Sequence, residues 1–275
     1  ITFDPPIDSS DMEPEMWSRI VTIIEREYDN YDGFVILHGT DTMSFTASAL
    51  SFMLEDLMKP VILTGSQLPI GALRTDGKEN LITAIEIAAA KKNDGTPVVP
   101  EVCIFFQERL MRGNRTTKVN SESFGAFDSN NYPPLALAGT DIQFYSRNIK
   151  KYVPGLTLKA HHEYNNNIII FSLFPGIQQE VVEKVLGAKG LKGIIHCFSG
   201  SKELAAEYVK LGFHIGVGGV VTFKNGKKMK QVVEAIPIEK IVLETDCPYL
   251  APEPFRGKRN NSSYIRHMAE EIGRL

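Results

Sequence analysis

Short apolar runs, each closed by a turn and followed by a helix-like stretch, recur along the whole chain, and this alternation limits the fold more than any other feature. Residues 33–38 (GFVILH), 59–65 (KPVILTG) and 101–107 (EVCIFFQ) are such runs. Their unbroken apolar character suits strands buried on both faces of a parallel sheet. Helices are predicted over 12–28, opened by the N-cap candidates Ser10 and Asp11, and over 43–57 and 76–92. Residues 129–138 read as loop. A second series starts at Asn167, where strands 168–174, 191–197, 213–217 and 240–245 alternate with helices 178–187, 202–211, 225–235 and 263–274. The fold class expected is α/β with mostly parallel strands. Residues 1–147 are expected to form a sheet domain, and 167–275 a small, parallel, flavodoxin-like βα domain. Residues 148–166, with Pro, Gly and an Asn triplet, read as the linker.

Net charge is −3 over 275 residues, so no global basic field attracts nucleic acid. The strip Lys224, Lys227, Lys228, Lys230 reads as a solvated helix face. Cys103, Cys197 and Cys247 show no metal-finger or CxxC spacing and fit a reducing compartment, so a cytoplasmic location is expected. No eighteen-residue apolar run and no signal peptide are visible, and no membrane partner is expected. The start at Ile1, with Asp4-Pro5-Pro6 close behind, reads as a truncation.

Two constellations carry chemistry. The first is His38-Gly39-Thr40-Asp41-Thr42-Met43, between a strand and a helix N-terminus. Ligands of open α/β sheets bind at such strand ends, and unpaired N–H groups there attract anions. A threonine hydroxyl needs a base to become a nucleophile, and a lysine serves if its pKa is depressed. By spacing alone, the Thr40-Asp41 pair reads first as a helix cap. The segment Asp32–Met43 resembles the second signature of bacterial L-asparaginases of the cytosolic type I branch. Asp8-Ser9-Ser10-Asp11-Met12, residues 59–67, Arg112–Lys118 and Pro175-Gly176-Ile177 agree in order and spacing, and the resemblance covers about residues 3–193. It implies hydrolysis of L-asparagine to aspartate and ammonia through an acyl-enzyme, without cofactor. It assigns Thr40, Asp41 and Lys118 to catalysis, and Asp8, Ser9 and Ser10, with Thr40 and Asp41, to substrate binding. It also implies a homo-oligomer. The family's first signature, with its other threonine, lid and central strand, is not found, nor is its Tyr-Gly-x-Gly-Asn turn after Lys192-Gly193. The resemblance therefore implies a first domain lacking its first strand and an impaired activity.

The second constellation is His196 and Asp246, each at the C-terminal end of a strand. Imidazole and carboxylate suit Zn, Mn or Mg, although two ligands make a poor site, and by spacing alone His196 reads first as a hydrogen-bonded strand-end histidine. His196–Ser201, Gly219–Asn225, Glu244–Leu250 and Arg256–Asn260 resemble the last third of TatD-family metal-dependent deoxyribonucleases, from about residue 194 to the end. That resemblance implies His196 and Asp246 as two ligands of an incomplete divalent-metal site, and nucleic acid as the partner under this alternative. The family's other ligands belong to barrel strands not found here, and Asn261-Ser262-Ser263 departs from its usual Glu-Pro-Ala. The whole chain thus reads as chimera-like: residues 167–193 continue the first family and 194–275 follow the second. The readings in order are an L-asparagine amidohydrolase, a TatD-like phosphodiesterase fragment and a non-catalytic chimeric chain.

Overall fold

The computed structural model describes residues 1–121, 123–173, 175–187 and 190–275, and of Gln179 and Glu183 only the backbone. The chain folds as two units, 1–169 and 170–275.

In the first unit, α1 (Pro14–Glu27) starts with proline in its first turn, where the missing N–H costs nothing, and buries Ile20, Val21 and Ile24. Strand β1 (Phe34–Leu37) leads to α2 (Met43–Met53), the two-residue β2 (Leu54–Glu55) and β3 (Val61–Thr64). Helix α3 (Gly77–Ala89) follows, then β4 (Val102–Phe106), β5 (Arg109–Arg112), β6 (Thr117–Lys118), β7 (Phe127–Asp128), β8 (Ala136–Ala138), β9 (Ile142–Phe144) and β10 (Lys159–Ala160). The main sheet has the order β1-β3-β4-β5-β8-β9. Its first three strands are parallel and the rest antiparallel.

Strands β3 and β4 are buried throughout, as their apolar runs require. Alternate residues serve opposite faces. Val61, Leu63, Val102, Ile104 and Phe106 join one core with α1 and α2. Ile62, Cys103 and Phe105 join the other with Ala84 and Ile87 of α3. Strand β1 is the sheet edge, paired only with β3, and Leu37 at its end is 65% exposed. Among the described residues no strand precedes it.

Two expectations change here. Residues 129–138, read as loop, contain β8, and the sheet beyond β4 is antiparallel because the Phe106-Gln107-Glu108-Arg109 turn sends the chain straight back. Residues 148–166, expected as a linker, run along the first unit as far as His162. Lys150 N donates to Glu101 Oε1 at 2.6 Å, β10 pairs with β2, and Ser18 Oγ donates to His162 O at 2.7 Å.

The second unit contains α4 (Gln179–Leu186), β11 (Ile194–Ile195), α5 (Lys202–Lys210), β12 (His214–Val217), α6 (Lys227–Ala235), β13 (Ile241–Leu243) and α7 (Ile265–Ile272). Its sheet, β11-β12-β13, is wholly parallel. Ile215, Val217, Val232 and Met268 are fully buried at its core, with Phe198 and Ile272. The expected strand 168–174 does not form over 168–173, and residue 174 lies outside the described residues. An apolar run becomes a strand only with a ladder partner. Ile170 is 94% exposed, and the sheet ends at β11. Among the described residues of this unit three strands form rather than four. Among the described residues no helix is long and apolar enough to cross a membrane.

Candidate functional site

The parallel pairing of β1 and β3 carries both strand ends to one edge of the sheet. Gly65 makes the close approach there possible, since a Cβ on it would overlap the His38 carbonyl. Thr40 and Asp41 occupy the turn between β1 and α2. The cap position of α2 is Thr42, whose hydroxyl donates to Ser9 O at 2.7 Å and accepts no bond from the helix N–H groups. The capping reading of Thr40-Asp41 is thereby excluded. Gly113 has no side chain to hold off Ala47 O and Ser51 Oγ, each 3.0 Å from its would-be Cβ, so the turn before β6 packs tightly on α2. Lys118, at the end of β6, reaches the Thr40 turn from there. Its Nζ donates to Thr40 Oγ1 at 3.0 Å and to Asp41 Oδ1 at 2.7 Å. Its side chain is 18% exposed and that of Asp41 62%.

The Asp8-Ser9-Ser10 turn abuts the same place through Ser9, which is buried and lies where a side chain on Gly39 would be. Asp8 Oδ1 accepts from Ser10 N and Ser10 Oγ, both at 2.9 Å, and the backbone donor chiefly holds its pKa below the usual carboxylate value. Beneath the turn, Trp17 Nε1 donates to Thr46 Oγ1 at 3.0 Å. Thr46 Oγ1 lies 2.9 Å from His38 Nε2, and His38 Nδ1 donates to Gly39 O at 2.7 Å. Burial pushes the His38 pKa down, which keeps the ring neutral and this chain of donors directional. A separate cleft of about 290 Å³, lined by Glu101, Arg112, Asn114 and Lys150, includes none of Thr40, Asp41 and Lys118.

In the second unit, His196 follows β11 and Asp246 lies just beyond β13, and they meet: His196 Nε2 is 3.4 Å from Asp246 Oδ1. A third group, absent from the sequence reading of the site, joins them. Glu244 Oε2 accepts from His196 Nδ1 at 2.6 Å, and Glu244 Oε1 from Cys197 N at 2.7 Å. Ligand atoms of His196, Glu244 and Asp246 all fall within 4.8 Å of one another. Burial raises the Glu244 pKa against the opposing effect of its two donors. Burial, then the charges of Asp246 and Glu244, push the Cys197 thiol up, so it stays protonated 3.7 Å from Asp246 Oδ2. The lysine strip is mostly exposed, although Lys228 Nζ donates to Ser199 O at 2.8 Å and Lys230 pairs with Glu271.

Residues 1–150 match the family model of the asparaginase N-terminal domain, and residues 177–275 that of TatD related DNases. L-asparaginase 1 of Escherichia coli K12 is 48% identical over 184 residues, 67% of this chain and 52% of that protein. An uncharacterized metal-dependent hydrolase, YabD, of Bacillus subtilis is 44% identical over 129 residues, 47% of this chain and 51% of that protein. The solved L-asparaginase I of Vibrio cholerae superposes with a TM-score of 0.65 at 39% identity, over 78% of this chain and 66% of that one. The chain spans between a third and about half of the first curated relatives it matches. Two families therefore match successive, separate parts of one chain.

Proposed function

The chain belongs to the asparaginase family, and from that premise we propose that its first unit hydrolyses the side-chain amide of L-asparagine, with Thr40 as nucleophile. The observation that carries this is Lys118 Nζ, bridging Thr40 Oγ1 and Asp41 Oδ1 from 78 and 77 residues away in sequence. In its neutral form Lys118 takes the hydroxyl proton as Thr40 Oγ1 attacks the amide carbon. The tetrahedral oxyanion forms at a helix N-terminus, where N–H groups stabilise negative charge. Ammonia leaves with the proton, and water then cleaves the Thr40 ester to give aspartate. Asp41 keeps Lys118 aligned. Ser9, packed on Gly39, sets the height of the Asp8–Ser10 turn against the substrate's α-amino and α-carboxylate groups. Exposed Phe45 and Phe52 on α2, and Ile82 and Ile85 on α3, support self-association. Ammonia release from L-asparagine tests the assignment. It should fall at least a hundredfold in Thr40→Ala, and equal rates in the two proteins would reject Thr40.

A second reading concerns the second unit alone. The cluster of His196, Glu244 and Asp246 favours binding of a divalent cation, Zn, Mn or Mg. The fit rests on a cradle: a Cβ on Gly216 would lie 2.8 Å from Glu244 Cδ, and one on Gly218 would lie 2.9 Å from Asp246 Oδ2. Glycine at both positions is what lets the carboxylates sit there. His196 and Asp246 would hold the ion, which when bound would supply Lewis acidity and an activated water for phosphodiester hydrolysis. Calorimetry with Zn²⁺ on the full chain, against His196→Ala, tests it: heat that vanishes in the variant supports the site, and equal heats reject it.

A further inference from the structure

The strongest unexplained detail in the second unit is that both oxygens of Glu244 are already engaged by donors. Oε1 accepts from Cys197 N at 2.7 Å and Oε2 from His196 Nδ1 at 2.6 Å. A carboxylate with both oxygens so engaged is poorly placed to be a ligand itself. It is well placed to orient one. Because a carboxylate only accepts, the imidazole nitrogen facing it carries the proton. In the neutral ring this leaves the lone pair on Nε2, and Nε2 faces Asp246 Oδ1 at 3.4 Å. A lone pair facing a carboxylate oxygen is relieved by a positive charge between them, whether a proton on Nε2 or a metal ion. Zinc at ~2.05 Å from nitrogen and ~2.1 Å from oxygen, with a tetrahedral angle, spans about 3.4 Å between the two. The gap already has that width.

We propose that Glu244 is the positioning residue of this cation site, fixing His196 with Nδ1 protonated so that Nε2, together with Asp246, takes a single divalent cation. This rests on the metal-binding reading of the second unit. Three features of the chain build the arrangement. Glu244 directly follows β13 and Asp246 lies two residues further on, with a left-handed φ of 49°, and both side chains reach His196. Gly216 and Gly218 are likewise two apart along and just past β12, the neighbouring strand, and leave room for those side chains. Cys197, directly after His196, has a φ of 53°, a left-handed conformation uncommon for a side-chain-bearing residue, and donates its N–H to Glu244. The same carboxylate thus holds the ring and the backbone that carries it.

The test uses the full chain labelled with ¹⁵N-histidine at pH 8, with His196→Ala to assign the ring signals. The wild type should show the Nδ1–H tautomer, and Zn²⁺ should perturb Nε2. Glu244→Gln should lose the tautomer preference, because an amide can also donate, and should weaken Zn²⁺ binding about 10–100-fold. Gly216→Ala reaches the same end by another route, since its methyl displaces Oε2 while leaving the carboxylate intact. Unchanged tautomer and unchanged Zn²⁺ affinity in both variants would overturn the positioning role. Zinc on Nδ1 would overturn it as well, making Glu244 no more than a competitor for that nitrogen. Loss of the tautomer in the variants, with no Zn²⁺ binding by the wild type, would sustain the positioning of His196 and overturn the cation site.

Discussion

Replacing Lys118 by Met separates a catalytic role from a structural one. The stem of Lys118 is mostly buried and Met refills it, so little apolar contact is lost. What disappears is the ammonium, with its bonds to Thr40 Oγ1 and Asp41 Oδ1. Asp41 is 62% exposed, and water rehydrates it once the partner is gone. An ion pair so placed contributes no more than about 1 kcal/mol to folding. For a domain of this size that is a shift in melting temperature of roughly 2–4 °C. The catalytic effect is expected to be far larger. A positioned base contributes about 10²–10⁴ in rate, which is about 2.7–5.4 kcal/mol of barrier. Coupled-enzyme detection of ammonia from L-asparagine, run beside urea unfolding of the same samples, measures both. The reasoning fails if activity drops less than tenfold, since Lys118 is then no base. It fails equally if stability drops by about 3 kcal/mol or more, since the loss of rate is then a loss of fold.

Two further outcomes follow from the same structure. Glu101→Ala removes a buried carboxylate that accepts from Arg112 Nε at 2.5 Å, Arg112 Nη2 at 3.1 Å and Lys150 N at 2.6 Å. Breaking such a pair costs about 3–5 kcal/mol, and the low end applies because Arg112 keeps Asn148 O and is partly exposed, so urea unfolding should register about 3 kcal/mol. Burial lowers the His38 pKa, so the unfolded chain binds its proton first as pH falls; stability contributed by neutral His38 is full above about pH 6.5 and declines as pH drops toward the folded value. His38→Gln should flatten that part of the slope in unfolding measurements between pH 8 and 5, and an unchanged slope would assign it to other groups.

The sheet strands of the first unit are legible because an unbroken apolar run has few other fates. Residues 61–64 and 102–106 read as buried strands and are buried at every position. The antiparallel half is not legible. Residues 109–112 (RLMR) and 136–138 (ALA) are short and carry arginine or alanine, and they become strands only because β4 offers an edge to the first and β5 in turn offers one to the second. The opposite error has the same cause. Ile168, Ile169 and Ile170 have strong strand propensity, yet no ladder receives them and they stay exposed. Sheet pairing, not local sequence, decides the marginal segments in both directions.

The two sites differ in legibility for a related reason. Thr40 and Asp41 are adjacent in a strand-to-helix turn, a place where any α/β sheet presents side chains to a ligand. Lys118 enters from a two-residue strand, and nothing local marks it; only the tight seat of Gly113 against α2 explains why it arrives. In the second unit, metal-binding residue types taken one at a time yield only two ligands. The informative pattern was a pair of pairs: Glu244-x-Asp246 leaving one strand, and Gly216-x-Gly218 leaving the strand beside it. Two acids on one face need room, and two missing side chains on the adjoining strand provide it. Taken alone, each half looks ordinary, since glycine in a strand marks only a weak or closely approached position and acids are common just past a strand end. Together they mark a face whose space is reserved for carboxylates around His196, and the reservation is what makes Glu244 the residue on which the behaviour of the second unit turns.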